Sequence, residues 1–423
     1  MLAQAIKEER TITPAAEWLV DNFAVVDEQL REIRDDLPSD YYRELPKLAG
    51  GHLDGYPRVL GLAWAYIAHT DSRFDPESLR RMVRAYQEVE PLTIGELWAI
   101  AISLRILYVE NLRRLAERIV RSRADRQAAD ELADRLLGLV GDESYDSSAA
   151  LRQLSRAQLS TAGRVQLFQR FRDQDPAVTP ALRELDRLLR SQGTSPEELV
   201  QLEHQRMATM NVTVRNVVTS MRLISWFDWA EFVESVGLVD DVLRSRSHFA
   251  EMDFVTRNRY RNAVEELAKR SQRSEVEVAT LAVDMAENAS ASDSADASTR
   301  QRIAEPGYYL ISRGCGALER ALGASVPTTR RMERTLLRAG GALYAGLLLL
   351  VSASVIALWL LLSNDRGLTW IVAILAIGPA AELAVTIVNH TVTRSLGPLP
   401  LPRLDLDEGV PTGMRTLVAV PML

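Results

Sequence analysis

A chain of 423 residues, 25% charged and 47% apolar, has material for one large or two ordinary domains and is not a disordered polypeptide. Its formal net charge of -7 argues against a nucleic-acid partner held by electrostatics. Cys315 stands alone, which excludes an intrachain disulfide and a cysteine zinc site, and the opening MLAQAIKEER holds no apolar segment of a secretory signal.

Helix starts are well marked along the chain. Thr13-Pro14, Asp75-Pro76, Thr179-Pro180 and Ser195-Pro196 each set a capping side chain before a proline at the first helical position. Thr93 with Glu96, and Ser195 with Glu198, have the spacing of a capping box. Leu19, Phe23, Val26, Leu30, Ile33 and Leu37 recur at steps of four and three, which predicts one half-buried helix ending at Pro38. Pro46, Gly50, Gly51, Gly55 and Pro57 then make a structured loop. A short apolar helix is expected over 59–68, and one continuous helix from Ile94 to about Leu139, apolar nearly all round in its first part. Further helices are expected over 148–170, 180–191, 196–236, 249–272 and 275–288. No alternating run long enough for a strand appears before Thr416. Ala289 to Ser298 (ASASDSADAS) reads as an exposed linker.

Two uncharged or nearly uncharged stretches follow. Ala339 to Leu362 carries no charge and is long enough to cross the hydrocarbon core of a bilayer, which takes roughly 20 apolar residues. After a polar turn, Ser363 to Gly367, a second apolar run extends from Leu368 to Val388 and contains Pro379 and Glu382. The pair reads as a transmembrane hairpin. Arg330, Arg331, Arg334 and Arg338 precede it and Arg394 and Arg403 follow it, which puts both flanks in the cytoplasm. Beyond the connector GPLPLP, Thr416 to Val420 is a short β-branched strand candidate, expected as the first strand of a further domain.

The expected organisation is all-α up to that point. It comprises an N-terminal helical subdomain (1–140), a second one (141–288), linker and pre-membrane helices (289–338), the hairpin (339–388), and a connector opening a truncated domain (389–423).

Several constellations invite a chemical reading. Arg58, His69, Asp71, Arg73 and Asp75 form the densest polar cluster. His69 and Asp71 fall short of the three protein ligands of a catalytic zinc site, and an arginine–aspartate network pinning a helix turn is the expected role. Trp226, Phe227 and Trp229 around Asp228 suit either a sugar-stacking platform or, as favoured here, helix packing. An intramembrane carboxylate such as Glu382 is costly and marks a functional or pairing role unless it is protonated or faces other helices of a larger bundle, the reading favoured here. Gly340, Gly341 and Gly346 would let a helix approach closely. Gly314-Cys315-Gly316 lacks the lysine and wider spacing of a phosphate loop. Asn211-Val212-Thr213 and Asn389-His390-Thr391 match the glycosylation pattern by chance. No Ser-His-Asp set, zinc motif or dinucleotide fingerprint appears, so no catalytic, cofactor-binding or metal-binding residue is assigned.

Longer runs carry a resemblance. TPAAEWLVDNF (13–23), REIRDDLPSDYYRELPKL (31–48), GYPRVLGLAWAYIAHTDSRFD (55–75) and PLTIGELWAIAISLRILYVENLRRLAERI (91–119) are four of them. MNVTVRNVVTSMRLISWFDWAEFVESV (210–236), FVTRNRYRNAVEELAKRS (254–271) and the closing RTLVAVP join them in the same order. Together they resemble the N-terminal region of bacterial cyclic β-1,2-glucan synthases.

The resemblance implies a place in a very large inner-membrane protein. Its glycosyltransferase domain builds glucan from UDP-glucose, with a divalent metal, on a protein-bound primer, and its phosphorylase-like domains set chain length. Those catalytic domains are expected beyond Leu423. The chain is then expected to be a scaffold or regulatory region plus membrane anchor, inactive alone, with the lipid bilayer and the downstream domains as partners. A complete, non-enzymatic, membrane-tethered helical adaptor is the alternative, and the reading frame after Leu423 discriminates the two.

Overall fold

The computed structural model describes residues 13–36, 39–137, 159–172, 180–191, 193–290, 297–327, 340–362, 369–395, 401–406 and 409–410. Among them the regular elements are all helical, joined by two isolated β-bridges, Lys47 with Pro57 and Met252 with Leu404. The all-α class expected from the sequence is therefore what the described residues show. The strand candidate at Thr416, the arginines from Arg330 to Arg338 and the turn from Ser363 to Gly367 lie outside them. The chain divides into two compact units, Met1–Gly237 and Leu238–Leu423.

The first unit begins with α1 (Pro14–Asp21), α2 (Phe23–Asp36), α3 (Ser39–Glu44), α4 (Arg58–His69) and α5 (Pro76–Gln87). It continues through α6 (Ile94–Leu136), α7 (Thr161–Arg172), α8 (Pro180–Ser191), α9 (Pro196–Trp226) and α10 (Trp229–Val236). The capping signals do what their chemistry demands. The Thr93 and Ser195 hydroxyls accept from the amides of Glu96 and Glu198, whose carboxylates reach back to the cap amides.

The single helix expected from Pro14 to Leu37 is corrected. It breaks at Asn22, whose side-chain amide donates to the Trp18 carbonyl (2.8 Å) while its oxygen accepts from Arg222 (2.5 Å). A short polar side chain that bonds its own backbone competes with helix continuation. Phe23, the first residue of α2, is 64% exposed although the stripe put it inside, while Leu19, Val26 and Ile33 of that stripe stay packed against the core. Gln29 is fully buried instead, donating to the Ser225 hydroxyl at 2.8 Å.

Helices α6 and α9 are antiparallel spines shared by two apolar cores. The first core joins Val59, Tyr66 and Val83 to Ile100, Leu104 and Tyr108 of early α6 and to Val217 and Met221 of late α9. The second joins Ala129, Leu132 and Ala133 of late α6 to Leu167 and Phe171 of α7, Leu185 and Leu189 of α8, and Leu199 of early α9. Early α6 is buried nearly all round, as its continuous apolar run required.

The second unit opens with α11 (Leu238–Ser245), a 3-10 turn (His248–Glu251), α12 (Phe254–Ser271) and α13 (Glu275–Ser290). Three short helices follow, α14 (Ala297–Ile303), α15 (Pro306–Ile311) and α16 (Cys315–Leu322), and then α17 (Gly340–Leu362) and α18 (Thr369–Ser395). Arg261 of α12 is buried against Asp240 of α11 (Nε to Oδ1 2.9 Å, Nη2 to Oδ2 3.1 Å), with its guanidinium near the Phe249 and Phe254 rings. Such a desolvated pair is sustained by two parallel bonds and aromatic faces. Gly314 precedes α16 because a Cβ there would lie 2.5 Å from the Tyr308 ring.

Candidate functional site

The polar cluster from Arg58 to Asp75 is dispersed by the fold to three separate tasks. Arg58 reaches Glu96 with two bonds (2.5 and 2.7 Å), and also Glu90 (2.6 Å) and the Pro91 carbonyl (2.8 Å). Its hydrogen bond to Glu96, which is fully buried, raises the guanidinium pKa further. Asp75 caps α5 by accepting from the Ser78 amide (3.0 Å), and hydrogen bonding from Ser78 holds its carboxyl below the usual range. His69 and Arg73 are exposed. The expected arginine–aspartate network is thus corrected: the cluster's arginine pairs with glutamates more than 30 residues along the chain.

What pins the turn after α4 is a set of neutral groups. Asp71 and Ser72 both have positive φ, 47° and 62°, which is strained for residues other than glycine. The Asp71 carboxylate accepts from the Thr213 hydroxyl (3.0 Å) and its carbonyl from the Asn216 amide (3.1 Å). The Ser72 hydroxyl accepts from Asn111 (2.7 Å), and its carbonyl from Ser220 (2.9 Å). Four side chains of α6 and α9 therefore hold two strained residues in place.

This turn borders a cleft of about 480 Å³ between α4, α6 and α9. Trp64 forms one wall, with the Arg114 guanidinium 5.1 Å from its ring centroid. Arg118 and Arg206 also line it, from α6 and α9. Glu110 is clamped by Arg113 (2.7 and 3.0 Å) and Arg114 (2.8 Å), which lower its pKa to about 2. Arg114 and Arg118 lie on α6, Arg206 on α9 and Trp64 on α4, and no local sequence pattern brings them together.

The aromatic trio separates. Phe227 and Trp229 stack edge to face at 4.9 Å and pack with Phe74 and Phe232, the packing role expected of them. Trp226 departs from it, at 90% exposure. Asp228 caps α10 through the Glu231 amide at 2.9 Å. Asn211 lies within helix α9.

Helices α17 and α18 pair along a stripe of Ala380, Ala384 and Val388 and through a hydrogen bond from Tyr344 to Asn389 (2.8 Å). The close approach uses these alanines, whereas Gly340, Gly341 and Gly346 have nothing within 4 Å of a Cβ position. Leu349, Leu350, Leu361, Ile374 and Leu375 are all at least 64% exposed. Two 22-residue segments, Gly340–Leu361 and Ala373–Arg394, are long and apolar enough to cross a membrane, and none of the first is buried in protein. Glu382 is exposed on α18. The second helix runs past the expected Val388 to Ser395. Beyond it, the Arg403 carbonyl accepts from the Asp253 amide (3.0 Å), the Arg403 amide donates to the Thr256 hydroxyl (3.0 Å), and the Asp405 amide donates to the Glu251 carbonyl (2.8 Å).

Fold and surface define a class first, a helical protein with two paired apolar helices whose outer faces are uncovered among the described residues. A comparison of sequences gives the relationship. The chain is 36% identical over its full length to the cyclic beta-(1,2)-glucan synthase NdvB of Rhizobium meliloti (strain 1021), of which it spans 15%. The chain is thus related to the cyclic β-1,2-glucan synthases, as an N-terminal region of that family. No protein-family model matches it.

Proposed function

We propose that this chain is the scaffold and membrane anchor of a cyclic β-1,2-glucan synthase. The helical units hold a downstream glycosyltransferase domain against the inner membrane, and the α17–α18 hairpin fixes them there. The carrying observation is the full-length similarity to NdvB, in a chain whose hairpin leaves its leucines uncovered. Glucan synthesis from UDP-glucose with a divalent metal then belongs to domains outside this chain, as do the phosphorylase-like steps.

The hairpin is read with both flanks cytoplasmic. The contact of residues 403–405 with residues 251–256 supports one side for both flanks, because chain on either side of the two spans meets there. Transfer of a glucosyl group needs a held diphosphate and a positioned acceptor. Purified chain in detergent, given radiolabelled UDP-glucose and a divalent metal, should leave no label on protein or glucan above a boiled control. Incorporation would place catalytic residues within this chain and overturn the reading.

A further inference from the structure

The cleft beside the strained turn carries an inference that does not depend on the anchoring role. We propose that it binds a phosphate-bearing small molecule, whose anionic group is held by Arg118 and Arg206.

The charge arrangement points to an anion. Arg114, Arg118 and Arg206 line the cleft, against Asp71 and Glu110. Glu110 is committed to Arg113 and Arg114, and Asp71 keeps its charge while accepting from Thr213, so three arginines face two carboxylates and the lining is left with one positive charge in excess. Arg118 has Arg114, Leu115, Arg121 and Ser122 as its neighbours one turn away on α6, so its own helix offers it no carboxylate. Arg206 has Glu203 within a turn on α9, and that carboxylate is buried against Arg126 (3.1 Å). Many exposed arginines of this protein pair with an acid three or four residues away, as Arg113, Arg187 and Arg190 do. Among the described residues Arg118 and Arg206 make no such pair, and both line one cleft on a protein of net charge -7.

Chemistry and shape narrow the class. The planar donor forks of the two guanidiniums fit phosphate oxygens, each able to take two parallel hydrogen bonds. A volume of about 480 Å³ suits a small metabolite rather than a macromolecular segment. The floor is preformed, since Asn111, Thr213, Asn216 and Ser220 fix the strained Asp71–Ser72 turn, so a ligand would meet a site already ordered.

The test is calorimetric titration of the full chain in detergent with inorganic pyrophosphate as the probe, beside sodium chloride at matched ionic strength and citrate as a carboxylate. Saturable pyrophosphate binding is expected, weakened at least tenfold in Arg118→Ala and in Arg206→Ala and unchanged in Arg273→Ala, which alters an exposed arginine paired with Glu277 in the other unit. Both cleft arginines are exposed, so the variants should melt as the parent does, and a melting curve confirms that the loss is one of binding. Heat no greater than that of chloride, citrate binding as tight, or equal weakening in Arg273→Ala would overturn the proposal.

Discussion

Glu110 shows how far a single side chain in this protein depends on neighbours supplied by one helix face. Arg113 and Arg114, three and four residues on, lower its folded-state pKa to about 2 from an ordinary 4.5. A carboxylate whose pKa is depressed on folding contributes stability that is full above its unfolded pKa and is lost as pH falls through the folded one. Glu110→Gln should therefore lower the melting temperature at pH 7, and the difference from the parent should shrink between about pH 4.5 and about pH 2. Thermal melts across that range check it; a difference that stays constant down to pH 2 contradicts it. This interaction is legible in the sequence, since its spacing is helical. The Arg58–Glu96 pair is not, because 38 residues separate its members and only the packing of α4 on α6 brings them together. The same limit hid the cleft, whose walls come from Trp64, Arg118 and Arg206.

At the scale of elements, caps and periodicity are legible where the chemistry is local. Capping hydroxyls at Thr93 and Ser195 and the prolines that follow Thr13, Asp75 and Ser195 mark helix starts that the structure keeps. The break at Asn22 is not legible in the sequence, because an asparagine within a periodic stripe signals nothing until Arg222 of a distant helix meets it. Gly307 is another position whose constraint is tertiary. A Cβ there would lie 1.8 Å from the Tyr260 hydroxyl oxygen and 2.4 Å from Cζ, and Tyr260 is only 2% exposed. Gly307→Ala should separate α15 from α12 and destabilise the second unit by about 1–3 kcal/mol, the usual cost of overpacking. Chemical denaturation of the variant beside Gly346→Ala, where a Cβ meets nothing within 4 Å, measures it. Equal stabilities would show that Tyr260 can move aside.

For the whole molecule, the composition and the two apolar runs revealed more than any cluster of polar residues did. Helix α17 is long and apolar enough to cross a membrane, and none of its apolar window is covered by the described residues. Full-length similarity to NdvB agrees with such a setting, and the runs that carried the resemblance include long helices α6 and α9, around which the first unit is built. What the sequence left dark at this scale is where compact units divide. The boundary at Gly237 is not marked by a linker of small or polar residues, since α10 and α11 follow one another directly.

The anchoring account is tested most directly by cysteine accessibility in intact cells. Cys315 is the chain's single cysteine, so Cys315→Ser supplies a background free of thiols. In that background, Asn364→Cys between the two apolar segments should react with a membrane-impermeant maleimide from outside, and Ser290→Cys at the end of α13 should react only after the cells are broken. Labelling of Ser290→Cys but not of Asn364→Cys in intact cells, or equal labelling of both, would contradict a hairpin with cytoplasmic flanks.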